Sequence, residues 1–158
     1  MTSETNTGQQ TSLVSSAGLG HDASPGGGAG ATYTLGFWYL NYRNLLGITY
    51  NESEDYNIDF FQKSRTRQKM KDYLRDISFL AGVRLGKGTF YTDISAGAGY
   101  FWEVEGLSPE DRKRLSGMAL TGCISFWFPL NASGLGVALS HLRARETSRT
   151  LLVLKLAL

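Results

Sequence analysis

The side chains best placed for covalent chemistry are His141, Glu146 and Ser148, an imidazole, a carboxylate and a hydroxyl close together near the C-terminal end. Such a set has the makings of a nucleophile with its general base. The plainer reading of His141 is a polar side chain at the border of an apolar surface. The other histidine, His21, falls in a stretch rich in Ser, Thr and Gly. Cys123 is the single cysteine, so it can form neither an internal disulfide nor a thiolate cluster, and it reads as a small buried residue. The sequence has no histidine or cysteine pairs at metal-binding spacing, no phosphate-cradling loop and no serine elbow. Gly18-Leu19-Gly20 is too short for a dinucleotide fingerprint. No metal and no cofactor are expected.

A second kind of chemistry lies in the basic residues. Lys63, Arg65, Arg67, Lys69 and Lys71 form one group, Arg112, Lys113 and Arg114 a second, and Arg143, Arg145 and Arg149 a third. Grouped cations suit charge-assisted contacts to phosphate, although the same pattern also serves as solvated loop charge. Nucleic acid is not expected, because the aromatic residues do not interleave with the basic runs. With 16 basic and 14 acidic side chains the net charge is only +2, so any electrostatic message is local.

The elements that would hold these residues are short strands. A chain of 158 residues has one domain's worth of core. It contains no run of about twenty apolar residues, which excludes a spanning helix and leaves a barrel as the only way to cross a membrane. No export signal is visible, since the stretch Met1-Thr2-Ser3-Glu4-Thr5-Asn6 has neither a basic nor an apolar region. Abundant Gly (19), few Pro (3) and many aromatics favour strands with close backbone approaches. Residues 1–20 read as a mobile segment with a weak first strand over 12–20, and residues 21–158 as the barrel domain. Strands are expected over 32–42, 44–52, 74–86, 89–103, 114–128, 134–143 and 147–158. Short joints at 42–44, 86–88 and 129–133 alternate with longer ones at 53–73 and 104–113, as an up-and-down barrel with one tight end requires. The joint at 144–146 is short where a long one is expected. Good helix formers between Phe60 and Arg75 predict a helical turn on the longest loop.

Parity along the strands assigns two faces. Phe90, Ile94, Ala96, Ala98, Tyr100 and Trp102 share one side of their strand, and Tyr91, Asp93, Ser95, Gly97 and Gly99 share the other. At about 3.3 Å per residue and a tilt near 40°, Phe90 to Trp102 climbs roughly 30 Å, close to the height of a lipid-facing band. Tyr33, Tyr39, Phe90, Tyr100, Trp102 and Phe128 would form its aromatic girdles. Asp76, Arg84, Asp93 and Lys155 fall on the polar parity and would point into the barrel, where charges must pair, so an interior ion network is expected. The alternative is a soluble barrel or sandwich, a binding module whose apolar parity packs an ordinary core. Gly82, Gly97, Gly99 and Gly136 favour the first reading, being poor solvent-facing strand residues but suited to a narrow lumen.

The segments Gly30-Ala31-Thr32-Tyr33-Thr34-Leu35-Gly36-Phe37, Gly97-Ala98-Gly99-Tyr100 and Gly134-Leu135-Gly136-Val137-Ala138-Leu139-Ser140 resemble the small outer-membrane β-barrels of the OmpX-like and OmpA types. The resemblance covers roughly residues 30–158 as a pattern. It implies an all-β, closed, antiparallel eight-stranded transmembrane barrel in the bacterial outer membrane, with a side-chain-filled lumen. It also implies a structural or surface-interaction role, with membrane lipids as partners and lipopolysaccharide phosphates at the basic rim. Members typically end in an aromatic residue, whereas this chain ends in Leu158. Lipid A deacylases are small barrels too and resemble this chain in a histidine on a late strand. Their close His-x-Ser spacing is missing, because Leu142-Arg143 follows His141. An enzymatic role is therefore not the expectation, and nothing in the sequence sets an oligomeric state.

Overall fold

Alternating segments separated by Gly, Asn and charged joints fold as strands, and the computed structural model describes residues 11–22, 30–55, 73–86, 89–105, 113–130, 133–145 and 147–157. The strands are β1 (Thr11–Asp22), β2 (Gly30–Asn41), β3 (Asn44–Asp55), β4 (Tyr73–Gly86), β5 (Tyr91–Glu105), β6 (Lys113–Leu130), β7 (Ser133–Arg143) and β8 (Ser148–Ala157). Each pairs antiparallel with the next, and β1 pairs with β8 to close an eight-stranded barrel. Among the described residues there is no helix; of the stretch Phe60 to Arg75 where a helical turn is expected, residues 60–72 lie outside them and Tyr73, Leu74 and Arg75 belong to β4.

The register sets the shape. Followed from Ser12 through Leu40, Leu45, Gly82, Ser95, Cys123, Ser140 and Leu151, it returns to β1 at Asp22, ten residues further along. Eight strands with that stagger tilt by about 40° from the barrel axis, so each residue climbs about 2.5 Å. A barrel of this size is only wide enough for side chains to fill.

The weak strand expected over 12–20 is a full member of the wall. Its small residues Ser15, Ser16, Ala17 and Gly18 blur the alternation, but it pairs on both sides. Without it β2 and β8 would each expose a row of unpaired backbone groups. The tight end includes the two-residue turn Tyr42-Arg43, where Tyr42 takes φ 59°, the left-handed geometry that two-residue hairpins need. Arg84 N donates to Arg43 O at 2.7 Å, tying this turn to β4. At the other end Ala144 N donates to Thr147 O at 2.8 Å and closes the unexpectedly short β7–β8 joint.

The apolar parity points outward. Leu13, Phe37, Phe79, Met118, Leu120 and Leu154 are exposed, whereas Thr32, Asn51, Asp76, Ser78 and Thr121 are buried. The core is thus the lumen itself. Near the short-turn end Trp127 fills it by lying against Gly136, where a Cβ would stand 2.6 Å from Trp127 Cε3 and 2.9 Å from the Phe126 carbonyl oxygen. Gly136→Ala should therefore destabilise the barrel by about 1–3 kcal/mol through overpacking. Urea unfolding in micelles, followed by tryptophan fluorescence, would measure it, and an unchanged midpoint would show that the indole can move aside.

Candidate functional site

The lumen is built in layers. At the short-turn end β4 and β5 place Arg84 directly opposite Asp93. Arg84 Nε and Nη2 donate to Asp93 Oδ1 and Oδ2 at 2.8 and 2.9 Å, a bidentate pair. The guanidinium lies 3.8 Å from the centre of the Tyr91 ring, and Tyr91 in turn stacks on Trp127 at 6.2 Å. Further up, buried Lys155 holds its Nζ 4.0 Å from Cys123 Sγ. Leu80, Cys123 and Ala138 pack there against Trp38.

The upper half of the lumen carries a line of hydrogen bonds across four strands. Thr34 Oγ1 donates to Asn51 Oδ1 at 2.7 Å, and Asn51 Nδ2 donates to Asp76 Oδ1 at 3.0 Å. Ser78 Oγ donates to the same Asp76 oxygen at 3.1 Å and meets Thr121 Oγ1 at 2.9 Å. Because the Ser78 hydroxyl has one proton and spends it on Asp76, Thr121 must be the donor in the last contact. Donors therefore converge on one carboxylate from both sides. Gly99 makes room for the span across β5, since a Cβ there would run into Ser78 Oγ and the Ile77 carbonyl oxygen. Toward the long-loop end Phe101, Ala119 and Leu142 form an apolar cluster joined by Leu115 and Ala144.

The sequence places four charges inside, and the structure arranges them differently from one network. Arg84 and Asp93 pair, but Asp76 lies eight residues from Arg84 along β4, in the other half of the lumen. The guanidinium of Arg149 acts on it electrostatically. Arg149 is 3% exposed and donates from Nη1 to Leu74 O at 3.1 Å, so it belongs to the lumen and not with the loop cations. Its parity with Lys155, opposite Leu152, Leu154 and Leu156, marks it in sequence as inward. Ser78 and Thr121 carry the inward parity in sequence, as do Thr34 and Asn51, but an uncharged polar residue on that face looks like filler and gives no sign of a network.

On the outer surface the long-loop end carries a collar of polar groups. Glu52 and Arg75 pair, with Arg75 Nε and Nη2 donating to Glu52 Oε1 at 2.8 and 2.6 Å. Tyr50 Oη donates to Glu52 Oε2 at 2.8 Å, and Arg75 lies 4.8 Å over the Tyr73 ring. Of the basic residues singled out, Arg114, Arg143 and Arg145 are exposed at this end, and Lys113 opens β6. Arg65, Arg67, Lys69, Lys71 and Arg112 lie outside the described residues. Tyr33, Tyr39, Phe90, Tyr100 and Phe128 are exposed, and Trp102 is half-buried. Phe90 meets Phe126 and Phe128 at 6.2 and 5.3 Å at one end, while Tyr100 meets Trp102 at 6.2 Å toward the other.

No family model and no curated protein matches the chain. Solved structures do. The N-terminal β-barrel domain of Pseudomonas aeruginosa OprF aligns at TM-score 0.67 and 14% identity, over 95% of this chain and 97% of that one. Neisserial surface protein A aligns at 0.63 and 12% identity over 95% and 99%. Ail, the attachment invasion locus protein of Yersinia pestis, aligns at 0.62 and 11% identity over 94% and 97%. The chain has the small outer-membrane β-barrel fold.

Within this barrel His141 is exposed on the outer face of β7, and its Nδ1 lies 2.9 Å from Thr150 Oγ1. Ser148 stands opposite Arg143 instead. Glu146 is outside the described residues, so His141, Glu146 and Ser148 are not seen assembled as a nucleophile and base. Leu158 also lies outside the described residues. Among those described, no three His, Cys, Asp or Glu side chains converge as a metal site.

Proposed function

We propose that this protein spans the bacterial outer membrane as a non-conducting barrel with a structural or surface-interaction role, its basic outer end resting against lipopolysaccharide phosphates. The observation that carries this reading is the distribution of polarity: an apolar outer wall around a hydrogen-bonded polar interior. In water that wall would be an apolar belt far larger than monomeric soluble proteins tolerate, whereas in lipid it is the expected surface. A soluble binding module would have the two faces reversed. The aromatic groups at both ends suit the two interfaces as girdles. The layered interior supports a filled lumen: the Arg84–Asp93 pair with its aromatic stack closes one end and the Phe101 cluster the other.

Two observations on a structural neighbour agree with the proposed partners. Ail has been solved in a phospholipid bilayer nanodisc and with the heparin analogue sucrose octasulfate, a polyanion. On this chain Arg143 and Arg145 project where outer-leaflet headgroups would lie. Each cation near an anionic surface contributes about 1 kcal/mol, so replacing both with Ser should weaken lipopolysaccharide binding by roughly 30-fold at low salt. Equal retention of lipopolysaccharide by the two proteins would remove the rim from the account. The membrane assignment itself is tested by gel migration from detergent. A closed barrel should run differently unboiled and boiled, and identical migration would speak for a soluble fold.

A further inference from the structure

We infer that the outer wall over β2–β5 carries a docking site for the sugar ring of an outer-leaflet glycolipid, centred on the Glu52–Arg75 pair. The inference rests on the membrane reading proposed above, and it concerns a different side of the barrel from Arg143 and Arg145. Register builds the site. Tyr33, Glu52, Arg75 and Trp102 stand opposite one another across four neighbouring strands, with their side chains on the outward parity. The next row toward the short turns adds Tyr50 and Tyr100, on either side of Ile77. An ion pair is thus enclosed by rings at the level of the upper girdle, where Tyr100 and Trp102 meet at 6.2 Å and lipid headgroups begin.

The hydrogen-bonding inventory selects the ligand. Arg75 spends Nε and Nη2 on Glu52 Oε1, which leaves the Nη1 edge of its guanidinium to donate from a side chain 38% exposed. Glu52 Oε2 accepts from Tyr50 Oη at 2.8 Å and keeps a lone pair. A donor edge beside an acceptor matches two adjacent hydroxyls of a sugar, one accepting and one donating. A phosphodiester has no proton to give the carboxylate and is repelled by it, and the pair as a whole has no net charge to attract one. A choline ammonium has no N–H for Glu52 and meets Arg75 as a like charge. The rings complete the match, because Tyr33 and Tyr100, 45% and 48% exposed, offer apolar surface against which the C–H side of a pyranose packs.

Trp102 makes the site readable, since the other two tryptophans, Trp38 and Trp127, sit in the lumen. The full chain would be folded into phosphatidylcholine vesicles holding an equal share of one acyl-brominated lipid, either glucosyl diacylglycerol or phosphatidylcholine. Quenching of tryptophan fluorescence then reports which lipid lies against Trp102. The glycolipid is expected to compete about fivefold better, equivalent to roughly one net hydrogen bond. Glu52→Gln with Arg75→Met should bring that ratio to one while quenching by brominated phosphatidylcholine persists, and Arg143→Ser with Arg145→Ser should leave the ratio unchanged. Should the Glu52→Gln, Arg75→Met protein fail to fold, Arg75→Met alone decides on the same readout. Equal quenching by the two lipids in the native chain would overturn the proposal. So would a full preference in the collar variants, or a stronger preference for brominated phosphatidic acid, which would mark a charge site instead. Absence of quenching by every brominated lipid is a separate result, and it would overturn the membrane reading together with this one.

Discussion

Phe79→Arg is expected to destabilise the barrel in lipid by about 2–4 kcal/mol, the depth-dependent cost of a cation facing the middle of a bilayer. Phe79 is 68% exposed near the middle of β4, flanked on the same outer face by Ile48 and Ala98. Were that face in water, replacing a protruding aromatic with a charged residue would change stability by no more than about 0.5 kcal/mol. The substitution therefore separates a lipid-facing wall from a wet one. Leu85→Arg, close to the short-turn end of the same strand, serves as the depth control and should cost about 0–1 kcal/mol. Urea titration of each variant in phospholipid vesicles gives both numbers.

The second large effect is expected inside. Asp76→Ala should cost about 3 kcal/mol or more, because the buried carboxylate is the common acceptor of Asn51 and Ser78 and its charge acts on buried Arg149. Removing it strands two buried donors at a residue 1% exposed and takes away a negative charge that acts on buried Arg149. Asp76→Asn should lose less, since an amide oxygen can still accept from the same neighbours and only the charge acting on Arg149 is lost. Asp93→Ala, at the more open end where the pair's side chains are 20% and 13% exposed, should fall below Asp76→Ala. The order of these three midpoints in micelles checks the layering. A larger loss at Asp93 than at Asp76 would place the weight of the interior at the wrong end.

Much of this architecture is readable from parity. The alternation of Phe79, Ala81 and Val83 with Ser78, Leu80 and Gly82 fixes which side of β4 faces out, because one step along a strand reverses the side chain. The stagger of joints fixes which end is tight. What parity cannot give is contact between strands distant in sequence. Ser78 finds Thr121 only because the barrel closes and Gly99 leaves the path open, and Arg149 finds Asp76 across the lumen. Charges grouped by sequence position therefore mislead: Arg149 sits four residues from Arg145 yet on the opposite side of the wall. Strand β1 was hard to read for a different reason. Gly18 and Gly20 leave no room for a Cβ against the Leu154 and Leu152 carbonyl oxygens of β8, and with Ser15, Ser16 and Ala17 they carry little hydrophobic signal.

The claim on which the rest depends is that the apolar parity meets lipid, and nitroxide accessibility along β4 tests it directly. With Cys123 replaced by Ala, single spin labels at Ile77, Phe79, Ala81, Val83 and Leu85 would be read in vesicles against oxygen, which concentrates in lipid, and a water-soluble nickel complex. The account predicts oxygen access highest near Phe79 and Ala81 and nickel access rising toward Leu85. Uniform nickel access at all five positions would contradict it.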